Sequence, residues 1–442
     1  MRRPPHIAII VALLLVVLAG CSSTSTGTGS DATTHVATPV AELVRPYDTA
    51  RETRTYVDDS RATRANGSAP ALPTRTLVTT IVHPTSDAGA PFPLVVFAHG
   101  FGGNEDLLIP LATSWARAGF FVAIPRFPLT TTSAPGGVNG SDIVEQPADV
   151  GFVIDSVIAE SEDANSPLHD LVDPDSLALA GHSNGAITTL GTIANSCCRD
   201  RRIDAAIVFA GTTSPFGGGT YDLRDIPPVL FVHGTDDALI DFDMGARAFN
   251  DAASPKGMLR IENGSHVSIL VPTAPEFVAV ERTTTDFLDA TLRADAAALT
   301  GLPDDGLDGV ATMFWSGDDA SGVTVPTIAR STARRTATIT AQDGLRAGQT
   351  VTVTWNGFIP GRTVNIVQCT GDGRGGSETC EIVPGRVLIP DPTGEGSLDI
   401  TITVGAVGNG VCDADHPCTI LVNDAGLQEP EAFVYFPITF AR

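Results

Sequence analysis

The chain has 442 residues, 43% of them hydrophobic, with 51 acidic against 27 basic residues and a net charge of −24. That length gives two or three domains, and that apolar content excludes a disordered chain. The acidic balance excludes electrostatic docking on nucleic acid or on anionic lipid.

Arg2 and Arg3 precede an apolar run from Ile7 to Ala19. The run is short for a bilayer span but has the length of a secretion-signal core. It ends Leu18-Ala19-Gly20-Cys21, which resembles the lipobox of bacterial lipoproteins. The resemblance implies a signal peptide over 1–20 and lipidation of Cys21. The protein is then expected in the cell envelope, anchored on the outer face of the cell membrane through acyl chains. Residues 21–42, rich in Ser, Thr and Gly, read as a flexible tether.

Residues 43–300 read as a catalytic domain of alternating strands and helices. Tyr47 to Pro93 carries a period of two, as antiparallel strands do. Pro93 to Ala98 is a continuous apolar strand, suited to burial on both faces of a parallel sheet. It runs into His99-Gly100-Phe101-Gly102-Gly103. A helix follows from Leu107 to Ala118, ended by Gly119. Phe120 to Ile124 is the next strand, and Gln146 opens a helix through Glu160. Ser176 to Ala180 leads into Gly181-His182-Ser183-Asn184-Gly185, and Ala186 to Ile193 reads as helix. Ile203–Phe209, Val229–Val232 and Gly257–Glu262 are further strands. Thr284–Ala298 is the closing helix. Strands and helices alternating at this spacing predict a doubly wound, mostly parallel α/β sheet.

Strand, G-x-S-x-G, helix is the context of a nucleophile elbow, with Gly181 and Gly185 giving room for a sharp turn. Ser183 needs a base, and the base needs an orienting carboxylate. In this arrangement the chain order is Ser, acid, His. Of nine histidines, only His266 and His416 lie beyond Asp237, and His416 sits between C-terminal cysteines. His266, in a glycine-containing loop after a strand, is the candidate base. Asp236 and Asp237 compete as the acid, with Asp241 and Asp243 more remote. The N–H groups of Phe101 and Asn184 are the expected oxyanion donors. His99 is expected to fix its loop. Only about seventeen residues separate Gly211 from Val229, too few for a lid domain. An open cleft suited to bulky or polymeric esters is expected, walled by Phe101, Phe216 and Val267.

These motifs, His99-Gly-Phe-Gly, Gly181-His-Ser-Asn-Gly, His233-Gly-Thr-Asp-Asp and Gly264-Ser-His, resemble the α/β-hydrolase superfamily. Within it they resemble the chlorophyllase, dienelactone-hydrolase and cutinase-like polyester-hydrolase group. The H-G-x-x-D resemblance favours Asp237 as the acid. It implies a serine esterase acting on a hydrophobic lipid, aryl or polyester substrate. One departure is Asn184, where polyester hydrolases usually carry Met.

Residues 301–334, rich in Asp and Gly, read as a linker. Residues 335–442 carry short alternating strands punctuated by turns, which predicts a small β-sandwich. Gly344-Leu345, Gly348-Gln349-Thr350-Val351, Pro360-Gly361, Gln368-Cys369 and two close cysteine pairs resemble the neocarzinostatin family of enediyne-binding apoproteins. The resemblance implies bridges Cys369–Cys380 and Cys412–Cys418. Residues 370–379 and 413–417 hold no Phe, Tyr or Trp, so an accessory binding or spacer domain is expected rather than an enediyne carrier. Cys197 and Cys198 are adjacent, either bridged or reduced. No cysteine cluster has zinc spacing, and neither a metal nor a cofactor is expected. The competing reading is a ligand-binding or sequestering lipoprotein with a vestigial hydrolase domain.

Overall fold

The uninterrupted apolar runs become the inner strands of a nine-stranded sheet. The computed structural model describes residues 45–214, 218–317, 322–327, 335–360, 363–374, 379–381, 387–388, 394–424 and 432–442. The expected signal peptide, Cys21 and tether lie outside these residues, as does Phe216. Among the described residues no helix is long and apolar enough to cross a membrane.

The strands are β1 (Thr49–Asp58), β2 (Arg75–Pro84), β3 (Phe92–Ala98), β4 (Phe121–Arg126), β5 (Val172–His182), β6 (Ala205–Phe209), β7 (Val229–Gly234), β8 (Lys256–Ile261) and β9 (Ala311–Ser316). Their order is β1-β2-β4-β3-β5-β6-β7-β8-β9. From β4 to β8 all neighbours are parallel. β1, β2 and β9 add antiparallel pairings at the two edges. The helices are α1 (Ile109–Arg117), α2 (Gln146–Glu162), α3 (Asn184–Ala194), α4 (Phe242–Asp251), α5 (Phe277–Leu292) and the short α6 (Ala296–Gly301). α2, α3 and α4 bury Val153, Leu190 and Phe249 against one face of the sheet. α1 and α5 bury Trp115 and Phe287 against the other. Both faces are therefore covered, as a parallel sheet requires.

Two sequence expectations are corrected. The linker expected over 301–334 contains β9. In that strand Met313 and Trp315 pack on one face of the sheet and Phe314 on the other. Val325, further along, is buried in the core. The helix expected over 284–298 instead begins at Phe277, behind Pro275, and stops at Leu292. Ala294 breaks it with a φ of 53°. The threonines that hid this helix donate back along it: Thr284 Oγ1 to the Val280 carbonyl at 2.7 Å and Thr285 Oγ1 to the Glu281 carbonyl at 2.8 Å.

A buried ion cluster fastens β2 to α2 and to the segment before it. The Arg75 guanidinium donates to Asp142 Oδ2 at 2.6 Å and to both oxygens of Asp149, at 2.6 and 2.7 Å. All three side chains are fully buried. Leaving either carboxylate without Arg75 costs about 3–5 kcal/mol. The pairing fixes a 3-10 helix, Gly140–Glu145, directly ahead of Gln146.

The C-terminal residues form two facing sheets. One holds β10 (Thr336–Ile339), β11 (Thr350–Asn356) and β15 (Gly396–Thr401). The other holds β12 (Val364–Thr370), β13 (Cys380–Glu381), β14 (Val387–Leu388), β18 (Cys418–Asp424) and β19 (Phe433–Ile438). Val353, Trp355, Ile366 and Ile420 are buried in the core between them. A ribbon of β16 (Gly405–Val407) and β17 (Gly410–Cys412) joins β18 through the Cys412–Cys418 bridge. Cys369–Cys380 closes β12 on β13, and Cys197 and Cys198 are bridged to each other.

Asp305 supplies a test of this packing. It is buried near Asp286 of α5, and its carboxyl is pushed up to about 7, first by burial and then by the Asp286 charge. The unfolded value is about 3.9. The folded chain keeps this proton longer, so its contribution to stability falls as pH rises from about 4 to about 7 and is flat above that. Asp305→Asn should remove this slope in urea titrations across that range. An unchanged slope would place its source elsewhere.

Candidate active site

Ser183 sits between β5 and α3 at φ 57° and ψ −118°, a strained conformation for a residue with a side chain. The turn is possible because the residues two positions to either side, Gly181 and Gly185, lack side chains. A Cβ on Gly181 would strike the Gly185 carbonyl, and one on Gly185 would strike the Ala98 carbonyl of β3. The Ser183 N–H donates to the Phe209 carbonyl at 3.0 Å, which fixes the elbow to β6.

The end of β7 and the loop after β8 bring the other two groups in. His266 Nε2 lies 2.8 Å from Ser183 Oγ, and His266 Nδ1 lies 2.7 Å from Asp237 Oδ2. Both His266 and Asp237 are buried, while Ser183 is half-buried. Asp237 Oδ1 accepts from the Leu239 N–H at 2.8 Å and the Ile240 N–H at 2.9 Å. His233 Nε2 stands 3.3 Å from Asp237 Oδ2 and 3.0 Å from the Ile240 carbonyl. Since a carbonyl only accepts, that nitrogen carries the proton. Burial works to raise the Asp237 carboxyl, but hydrogen bonds from His233 and His266 outweigh it and hold the group well below the ordinary carboxylate range. Asp237 is thus charged throughout the neutral range. Asp236 is exposed beside it, and Asp241 caps the start of α4 through the Asp243 N–H at 2.7 Å. The structure therefore resolves the two adjacent aspartates in favour of Asp237 as the partner of His266.

Two further histidines hold the frame. His182 Nε2 donates to the backbone carbonyl of His266 at 2.8 Å. Burial, and then the neighbouring His266, push His182 down to about 3, so it stays neutral. His99 accepts the Phe127 N–H on Nε2 at 3.1 Å, and its Nδ1 lies 2.8 Å from the Gly100 carbonyl. Its pKa is pushed down to about 4 by burial. His99 thus fixes the loop of Gly100 to Gly103, as expected.

Gly100 of that loop packs against Ser183 and His182, Phe101 follows it, and Asn184 begins α3. Neither the Phe101 N–H nor the Asn184 N–H has an acceptor among the described residues. The Asn184 side chain is steadied by Gln146, whose Oε1 accepts from Asn184 Nδ2 at 3.4 Å and from Thr188 Oγ1. Gln146 Nε2 donates to Thr130 Oγ1 at 2.8 Å. Gln146, His182 and His233 were not singled out for these roles from sequence. His182 and His233 stood inside quoted motifs, whereas nothing local marks Gln146. Close in sequence to the site residues, Phe101 is half-buried, and Leu239 and Val267 are 40% and 45% exposed.

Gly185→Ala should destabilise the fold by about 1–3 kcal/mol, because the methyl meets backbone and not a movable side chain. Urea denaturation checks this. A loss below about 0.5 kcal/mol would mean that the elbow is looser than its geometry.

On the outer sheet face of the C-terminal sandwich, Val367, Leu421 and the Cys369–Cys380 pair meet Phe433 and Tyr435. The two rings stack with centroids 6.1 Å apart. No curated protein matches the chain. Residues 337–436 match the family model described as the Neocarzinostatin family, and this C-terminal part of the chain is a neocarzinostatin-family domain.

Proposed function

We propose that the protein is a serine esterase of the α/β-hydrolase superfamily that cleaves carboxylic esters bearing apolar groups. The observation that carries this reading is the unbroken hydrogen-bonded line from Ser183 through His266 to Asp237 at a strained strand-to-helix turn. The sheet order and the covering helices support the superfamily assignment.

In this mechanism Ser183 Oγ attacks the ester carbonyl carbon while its proton passes to His266 Nε2. The carbonyl oxygen gains the negative charge and is met by the N–H groups of Phe101 and Asn184. Asp237, already ionised, stabilises the imidazolium. The intermediate collapses, the C–O bond breaks, and the alcohol leaves with the proton from His266. Water then attacks the acyl-enzyme by the same route, giving the acid and restoring Ser183. Leu239 and Val267 favour apolar groups on the ester. The leader and Cys21 support placement on the outer face of the cell membrane.

Ser183→Ala should abolish fluorophosphonate labelling and reduce p-nitrophenyl butyrate hydrolysis to a residual rate. Undiminished turnover would remove the proposal. Asp237→Asn should cut kcat by roughly 10³ to 10⁴, because the imidazole loses the acceptor that sets its tautomer. Asp236→Asn should change kcat by less than about tenfold, since an exposed neighbour acts only through a screened field. Reversed outcomes would move the acid by one residue.

A second reading, ligand binding by the sandwich, is favoured by the family match and by the stacked Phe433 and Tyr435 on its outer face. It is compatible with catalysis by the other domain. An aromatic ligand that quenches tyrosine fluorescence in wild type but not in Tyr435→Leu would support it.

A further inference from the structure

Two segments adjoin the Ser183 site along the chain, and each is taken as one lip of a substrate cleft. One is Ala238, the residue after Asp237. The other is the 3-10 helix Gly140–Glu145, which runs directly into Gln146 and so into the support of Asn184. Residues 43–442 pack as one unit, and the C-terminal sandwich touches both lips. The Thr363 N–H donates to the Ala238 carbonyl at 3.3 Å. β13 lies against Gly140–Glu145. Thr363 leads into β12, and Cys369 near the far end of β12 is both paired with and bridged to Cys380 of β13. One strand with its bridged neighbour thus runs from lip to lip. At about 3.3 Å per residue, the six steps from Thr363 to Cys369 cover about 20 Å, enough to cross a substrate cleft. This strand is stiff, because β18 pairs with β12 along its whole length.

We propose that the sandwich is a fixed roof over the catalytic cleft, and that the substrates are apolar esters taken one dissolved molecule at a time, not polymer surfaces or lipid aggregates. The proposal rests on the esterase reading and narrows it. A hydrolase working on a film or droplet must bring its serine against an extended interface, and a domain fastened to both lips prevents that approach. Leu239 and Val267, next to the triad in the chain, remain partly exposed, so a single apolar acyl or alcohol group can still find an apolar contact. The expected absence of a lid between β6 and β7 is therefore compatible with a covered site, because the cover comes from the other end of the chain.

The test uses the full-length protein and two readouts. In the first, hydrolysis of tributyrin is followed across its solubility limit, with p-nitrophenyl butyrate as the soluble reference. The expected result is a rate that saturates at the limit, with no rise when droplets appear. A fivefold or greater jump past the limit would overturn the roof. The second readout does not depend on activity. The pair Ala238→Cys and Thr363→Cys should cross-link on oxidation, visible as a bridged peptide by mass spectrometry. Failure to cross-link in a folded protein would also overturn it. If neither ester is turned over and no fluorophosphonate labels Ser183, the esterase reading fails, while the cross-link still reports on the roof.

Discussion

The close approach of β3 to the start of α3 is the constraint on which the site depends. Gly185 passes so near the Ala98 carbonyl that no side chain fits between them. Gly181 is pressed in the same way against the Gly185 carbonyl. With both flanks reduced to hydrogen, the chain turns within one residue, and Ser183 takes the strain at φ 57°. A strained residue persists only where its surroundings over-determine it. Here they do: the Ser183 N–H is bound by β6, and the N–H groups of Ala186 and Ile187 both return to the Ser183 carbonyl. Strain at the serine, the reach of its hydroxyl to His266 and an open N–H on Asn184 follow together from one geometric fact.

The electrostatics follow from where β7 ends. Asp237 leaves the sheet inside a turn whose own N–H groups point back at its carboxylate, and His233, four residues earlier, reaches the same oxygen that His266 uses. Four donors around one buried carboxylate make the charged form the stable one despite burial. The charge in turn fixes which nitrogen of His266 carries the proton, leaving Nε2 free to accept from serine. His182 completes the frame from the other side by binding the backbone of His266. Its neutrality matters, since a second cation there would oppose the imidazolium that the proposed mechanism requires.

Much of this was legible in the sequence, for identifiable reasons. Parallel strands buried on both faces read as apolar runs, and β3, β6 and β7 were visible within a few residues. Ser183 followed from the G-x-S-x-G turn between strand and helix, and His266 from chain order and elimination. Asp237 could be separated from Asp236 only by motif, because the distinction is one of turn geometry that two identical side chains do not reveal. Gln146 left no local signal, since its partners Thr130, Asn184 and Thr188 come from three separate segments. β9 was hidden because six alternating residues between Asp- and Gly-rich stretches look like linker. The aromatic pair of the sandwich was missed for another reason. It lies on β19, outside the disulfide-closed loops to which the family resemblance points for ligand-holding rings.

Adding β9 changes how the two domains relate. A free linker after residue 300 would leave the sandwich tethered but unplaced, whatever its own fold. Instead the chain returns to the sheet, pairs with β8 over six residues and buries Val325 before it departs. The departure point is thereby anchored to the sheet edge beside β8, whose following loop carries His266. β10 and β11 then precede Thr363, whose N–H reaches the Ala238 carbonyl. Position is imposed covalently at one end and by the Thr363 hydrogen bond at the other. The entropy of placing the second domain is met largely by the first, since a shorter effective tether restricts the volume that domain must lose on docking. A backbone hydrogen bond and a strand edge can then help to define a domain arrangement that they could not hold between separate molecules.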